Sequence, residues 1–351
     1  MTSRKKADVS GAKDITNGSN DLRAFLTKQY GDVFKVDGPP PLNKVLTGLV
    51  NLDILLGGGF PKGRIIEIWG APSVGKTTFT LHLAELLRQK HNIYTVYNDL
   101  ERTVDRERLN QLGVNIDNFL YLRPYYGDEA LKIARDSADN GAGLVVIDSV
   151  PCLRPSPKPG QSEKEPGDIE MAPEARLLAQ ALPHVVPVIE RNDAILIFIN
   201  QMRSSIGGYG GSGPCGGNAL KFYKSISLKL TKLKACEEGV EVEVLTSKNK
   251  CSPPGQKCVL FLNYKTGFDP IYSIGAELQK QGLLVVAGGG WRKWTSEGLT
   301  KYGLTEERIG QGDKALTNFF NKNSELYAHI YNDLLQSDPI IDATLLTEVE
   351  E

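Results

Sequence analysis

The stretch Gly70-Ala71-Pro72-Ser73-Val74-Gly75-Lys76-Thr77 matches the phosphate-loop spacing G-x-x-x-x-G-K-[ST] at every fixed position. Glycines let the backbone turn tightly, so that successive N–H groups converge on phosphate oxygens. Lys76 supplies a mobile point charge for β- and γ-phosphates. The Thr77 hydroxyl, followed by Thr78, can ligate Mg²⁺. A bound ATP or GTP also needs a carboxylate on the metal side. Asp148, closing the apolar run Leu144-Val145-Val146-Ile147, has that form. Hydrolysis needs a group that orients water. Glu101 is placed for it, just beyond a predicted strand. Asp99 and Asp105 compete for the role, and spacing does not choose among the three.

These groups need a frame. Residues 64–69 read as a buried strand and 77–90 as a helix, which puts the phosphates on a helix N-terminus. Further short apolar runs at 93–98, 119–122, 144–148 and 194–200 are separated by helical stretches. That rhythm predicts an α/β fold with a mostly parallel central sheet covered by helices on both faces. Ligands of such sheets gather at the carboxyl ends of the strands, where Gly70, Glu101, Asp148 and Gln201 all fall. After residue 220 the runs 225–230, 240–245 and 258–263 alternate apolar and polar, and predict antiparallel strands with one wet face. Residues 270–336 read as a small α/β unit with helices over 274–281 and 314–335. Near the start, Leu22, Phe25, Leu26 and Tyr30 share one face of a short helix stopped by Gly31. That face must bury itself against its own body or a neighbouring subunit.

The chain has 351 residues, 40% apolar and 24% charged, with a net charge of −1. That excludes a globally basic nucleic-acid binder but not local binding loops. Its five cysteines form no C-x-x-C pair and read as reduced thiols in the cytoplasm. The start lacks the apolar core of a signal peptide, and no run is long enough to span a bilayer. Two stretches stand out as loops. Residues 154–173 carry five prolines, and 204–217 hold seven glycines in fourteen residues. Long loops inside a compact sheet are usually functional or disordered. Both follow strands that end at the nucleotide. Gly-rich backbone beside Arg176, Arg203, Tyr209 and Lys221 suits the backbone of single-stranded DNA.

The runs Asn200-Gln201-Met202-Arg203 and Gly216-Gly217-Asn218-Ala219-Leu220-Lys221-Phe222-Tyr223 resemble the bacterial RecA recombinase family. So do Gly63–Ile68, residues 112–118, Val146-Ile147-Asp148-Ser149-Val150, Lys248-Asn249-Lys250 and Ile309-Gly310-Gln311-Gly312. The resemblance spans about residues 22–335. It implies a DNA-stimulated ATPase that forms helical filaments on single-stranded DNA, pairs it with homologous duplex and exchanges strands in recombination and repair. It assigns Gly70 to Thr78 to ATP, Thr77 and Asp148 to Mg²⁺, and chooses Glu101 as the residue that activates water. It makes Gln201 the γ-phosphate sensor. It places Lys248 and Lys250 across a subunit interface, reaching the neighbour's ATP. DNA contacts are implied at Met171, Arg176, Arg203, Ser204, Ile206, Gly207, Gly216, Gly217 and Asn218, with Asn218 and Phe222 relaying to the interface.

The implied organisation is a disordered start (1–20), an oligomerisation helix and linker (21–45), an ATPase core with two DNA loops (46–269), a small α/β domain (270–336) and an acidic tail (337–351) that restrains duplex binding. Single-strand-binding and loader proteins are implied partners. Three departures matter. Arg108 stands where the family has a Tyr stacked on adenine. Pro183 replaces a DNA-contacting Arg, and with Pro187 predicts a kinked or broken helix. The second loop is shorter and richer in Gly. A divergent branch carried by a phage or mobile element is consistent with these departures. A ring helicase or loader, and an ATP-gated DNA-coating scaffold, are the alternative readings.

Overall fold

The computed structural model describes residues 15–31, 39, 41–157, 172–203, 213–312, 314–337 and 341, with 15–20 and 203 described by backbone alone. Met171, Ser204, Ile206, Gly207 and Tyr209 lie outside the described residues, as does most of the acidic tail. The chain divides into two compact units, residues 1–42 and 43–351. The first contains the helix Ile15–Tyr30. It begins earlier than the sequence pattern suggested, so 15–20 are helical instead of disordered. Leu22, Phe25 and Tyr30 stand exposed on it.

The second unit is built on a large sheet. From one edge its order is Gly267–Phe268, Lys257–Asn263, Gly239–Asn249, Ile226–Ala235, Arg64–Gly70, Ile195–Arg203, Leu144–Asp148, Thr95–Asp99, Phe119–Leu122. The last five run parallel to one another. Ile226–Ala235, expected to be antiparallel, is a hybrid. It runs parallel to Arg64–Gly70 and antiparallel to Gly239–Asn249. The helix Gly217–Tyr223 before it supplies the crossover that a parallel pairing requires.

Alternate residues of each strand face opposite layers. Ile66, Ile68, Tyr97 and Val146 join one apolar cluster with Phe79, Leu83 and Leu87 of the helix Lys76–His91. Ile65, Val96, Val145 and Ile147 join another with Ala130 and Ala134 of Gly127–Asp139 and Leu178 and Leu182 of Pro173–Arg191. That last helix runs unbroken through Pro183 and Pro187, against the sequence expectation. Both prolines are exposed, one turn apart, opposite the buried Leu178, Leu182, Val185 and Ile189. The carbonyls they leave unbonded therefore face water, and the packed face keeps the helix continuous.

A third cluster surrounds Trp294 and Leu334, beside a three-stranded antiparallel sheet of Leu284–Ala287, Trp291–Trp294 and Arg308–Gln311. The helix expected over 314–335 is two, Lys314–Lys322 and Ser324–Gln336, divided at Asn323. The helix expected over 274–281 is Pro270–Lys280, capped by the Asp269 carboxylate.

Candidate nucleotide site and the loop roots beside it

Strand register brings the sequence-predicted groups to one level. Gly70 lies opposite Gln201, and Asp99 opposite Asp148. The chain then turns at Gly75, which has a φ of 99° and leads directly into the helix Lys76–His91. A side chain at Gly70 would strike the Leu230 carbonyl at 2.4 Å, so the loop can start only from glycine. The helix N-terminus opens into a cavity of ≈ 360 Å³ lined by Pro72, Ser73, Gly75, Lys76, Thr77, Thr78, Glu101, Arg108, Asp148, Gln201 and Tyr264, among others. That size suits a small-molecule ligand. Free N–H groups and the positive end of the helix dipole favour an anion there.

Lys76 is buried, and its ammonium donates to the carbonyls of Gly70 at 3.1 Å and Ala71 at 2.9 Å. Burial lowers its pKa, while Glu101 and Asp148 pull it back up. Thr77 Oγ1 donates to Asp148 Oδ2 at 2.9 Å, and the Tyr97 phenol donates to the same oxygen at 2.7 Å. Asp148 Oδ1 is buried with no hydrogen-bond partner among the described residues. Burial pushes this carboxyl up to about 6, and the charge of Glu101 adds to the rise. A hydroxyl with free lone pairs beside an unsatisfied carboxylate oxygen fits Mg²⁺. Among the described residues no cluster of three or more His, Cys, Asp or Glu could hold a metal.

The three candidate water-orienting carboxylates separate cleanly. Asp99 accepts from Arg102 N–H at 2.7 Å, Val104 N–H at 3.1 Å and the Tyr121 phenol at 2.7 Å. Asp105 caps the helix Arg106–Gln111 through Arg108 N–H. Neither lines the cavity. Glu101 does, and its carboxylate accepts from Gln201 Nε2 at 2.9 Å and from the Ser149 hydroxyl. On the far wall Arg108 donates to the Tyr264 carbonyl at 2.7 Å and to Thr78 Oγ1 at 3.2 Å.

Gln201 opens onto a second polar system. The Asn200 side chain donates to Glu67 at 2.9 Å and to the Cys215 carbonyl at 2.8 Å, and accepts from Gln201 N–H and Cys215 N–H. Glu67 also takes the Lys224 ammonium and the Ser227 hydroxyl. Every member of this network except Gln201 is buried. It ties the root of the Gly-rich segment to the helix Gly217–Tyr223. Gly216 and Gly217 have φ of 97° and 64°, and a Cβ on Gly217 would meet that of Ala175 at 2.7 Å. The ends of the two long loops are thus in contact, and the exposed Arg176 follows at once. Lys248 donates to the Lys221 carbonyl at 2.7 Å and Lys250 to that of Phe222 at 3.1 Å. Lys248, Gly217 and Asn218 line a separate cavity of ≈ 610 Å³ with Trp69, Lys221 and Lys224. The predicted groups therefore fall into two places, one with Lys76, Thr77, Glu101, Asp148 and Gln201, the other with Lys248, Gly217 and Asn218.

Sequence reading missed Tyr97, Ser149, Asn200, Glu67, Lys224 and Tyr264. The available signal was a polar group inside a run otherwise apolar, as at Glu67 and Asn200.

Sheet, glycine loop and paired carboxylates define a class, α/β proteins with an anion-binding helix N-terminus at the strand ends. The RecA N-terminal domain family matches residues 28–269. Protein RecA of Leptospira meyeri is 38% identical over 358 residues, covering 97% of this chain and 89% of that protein. Protein RecA of Paracoccus denitrificans is 33% identical over 365 residues, covering 100% and 96%. Protein RecA of Acinetobacter baumannii (strain AYE) is 37% identical over 334 residues, covering 91% of each. This chain belongs to the RecA family.

Proposed function

We propose that this protein is an ATP-dependent recombination and repair protein that forms helical filaments on single-stranded DNA, pairs them with homologous duplex and hydrolyses ATP as it does so. The observation that carries the reading is the contact between Gln201 and Glu101. It joins a carboxylate that lines the cavity to the strand that leads into the Gly-rich segment.

In this reading the loop N–H groups and Lys76 bind the phosphates, with Lys76 exchanging its carbonyl partners for phosphate oxygens. Thr77 and Asp148 hold Mg²⁺, which neutralises charge developing on those oxygens. Glu101 orients the attacking water, and Gln201 moves with the γ-phosphate. Arg108 and Tyr264 flank the base, a guanidinium plane being able to stack on it. Single-stranded DNA lies on the two long loops, along Met171, Arg176, Arg203, Ser204, Ile206, Gly207, Gly216, Gly217 and Asn218. Lys248 and Lys250 serve the ATP of the adjacent subunit, and the helix Ile15–Tyr30 from residue 21 onward belongs to the arm that packs on it. The organisation is an arm (21–45), a core (46–269), a small α/β domain (270–336) and an acidic tail (337–351). Its workplace is the cytoplasm, where its DNA is.

The test is ATP turnover with and without single-stranded DNA, together with electron microscopy on circular single strands and a non-hydrolysable ATP analogue. Open stretched helices and turnover that rises with DNA are expected. Lys76→Ala should abolish both. Closed rings would instead indicate a helicase or loader, and filaments without DNA-stimulated turnover a scaffold.

A further inference from the structure

We propose that Tyr97 is a positioning residue for the divalent cation, acting by fixing which oxygen of Asp148 faces the cavity. The proposal rests on the nucleotide-site reading above. Tyr97 is completely buried in the strand Thr95–Asp99, one strand over from Asp148. Its ring packs against Phe119 at 5.6 Å between centroids and belongs to the apolar cluster behind the loop helix. Phenylalanine would fill that space equally well. A hydroxyl there is costly unless it is bonded, and its bond goes to Asp148 Oδ2.

The consequence follows from counting protons and lone pairs. The phenol and Thr77 each donate one proton to Oδ2, which occupies that oxygen. Oδ1 is left bare. Thr77 keeps its lone pairs, since its proton points at Asp148. Thr77 Oγ1 and Asp148 Oδ1 are thus left as acceptors with free lone pairs, on two residues that line the cavity, and the bonds at Oδ2 fix how the carboxylate is turned. Without the phenol, Thr77 is the one side-chain donor left to the carboxylate among the described residues. The group can then turn and offer either oxygen, and the site loses its preset geometry. Groups that orient a ligand in this way typically contribute ten- to a hundredfold to metal affinity.

The experiment uses the full chain and a fluorescent ADP analogue, titrated with MgCl₂ and compared with binding in EDTA. Tyr97→Phe should raise the half-saturating Mg²⁺ concentration about tenfold, with EDTA binding and thermal unfolding in EDTA close to wild type. In an Asp148→Asn background, Tyr97→Phe should add no further shift. An unchanged Mg²⁺ midpoint would overturn the proposal. So would a fall in EDTA binding that matches the Mg²⁺ effect, or full additivity with Asp148→Asn, because either makes the phenol merely structural. If the wild type itself showed no Mg²⁺-dependent nucleotide binding, the nucleotide-site reading would fail instead.

Discussion

The side-chain amide of Gln201 donates to Glu101 Oε1 at 2.9 Å although the strands that carry them are not neighbours. Leu144–Asp148 lies between those strands, and Ser149, just past its end, bonds Glu101 as well. Three strand ends are therefore tied over one carboxylate. Gln201→Ala removes the tie without touching the phosphate loop. Nucleotide binding should persist, while stimulation of turnover by single-stranded DNA should fall by the worth of a typical coupling, about 5–150-fold. Steady-state hydrolysis with and without DNA measures it. Full stimulation in the variant would show that the loop signals by another route.

Glu101→Gln keeps the size of the side chain and its ability to bond Ser149, but removes the charge that the proposed water-orienting role requires. Turnover at saturating ATP should drop by about 10²–10⁴-fold, with nucleotide affinity retained because the loop and Lys76 are intact. Phosphate release reads the first and equilibrium titration the second. Variants of Asp99 and Asp105 should act through stability, since both carboxylates are spent on backbone N–H groups. Catalytic loss without destabilisation in Asp99→Asn would reverse the assignment.

The phosphate loop and Asp148 were legible because each is local, a fixed spacing or an apolar run with a polar end. Glu67 and Asn200 were not. They stand 133 residues apart and look, in sequence, like flaws in two apolar strands. Only strand register makes them partners. Pro183 and Pro187 misled for the opposite reason. A local rule predicted a break, and tertiary burial of the other helix face overrode it. Likewise the run 314–335 reads as one helix because apolar residues resume beyond the polar stretch 321–325, in which Asn323 proves to be the boundary.

Lys248 and Lys250 sit on the last carbonyls of Gly217–Tyr223, a favourable place for cations at a helix C-terminus. Neither lines the nucleotide cavity of its own chain. Lys248→Ala should therefore leave nucleotide binding by isolated subunits intact and lower turnover within filaments by about 10³-fold or more, as removal of a trans-acting cation does. Light scattering and hydrolysis on the same samples separate assembly from chemistry. Weaker binding in dilute, unassembled protein would contradict the interface role.

Asp53 offers a pH test. It is buried, accepting from Thr47 N–H and Oγ1, Gly48 N–H and the Tyr331 phenol. Lys90, over the Tyr331 ring, and Tyr327 also face it. Burial outweighs these bonds and raises the carboxyl from 3.8 to about 6. A raised carboxyl favours the folded state most below its unfolded value. Its contribution is lost as pH climbs from about 4 to about 6 and is flat beyond. Two units correspond to about 3 kcal/mol. Denaturant unfolding of wild type and Asp53→Asn across that range should show the wild type losing stability relative to the variant. Parallel curves would mean that Asp53 does not titrate there.

Lys224 and Glu67 form an ion pair with side chains only 7% and 1% exposed. Deleting one member leaves the other charged and dry, which costs about 3–5 kcal/mol, whereas replacing both with apolar groups of similar size is far milder. Lys224→Met alone should therefore lower stability strongly, and Glu67→Leu with Lys224→Met should recover much of the loss. Function should not follow stability back. Asn200 bonds Glu67 and holds both Gln201 N–H and Cys215 N–H, so the double variant takes the Glu67 anchor from an amide that keeps its bonds to Gln201 and Cys215, and the Gly-rich root is held less firmly. It should fold well yet respond weakly to DNA, with nucleotide affinity unchanged. A double variant with restored stability and full DNA stimulation would reduce the ion pair to a packing element. Stability without coupling would place it on the path from Gln201 to Gly217.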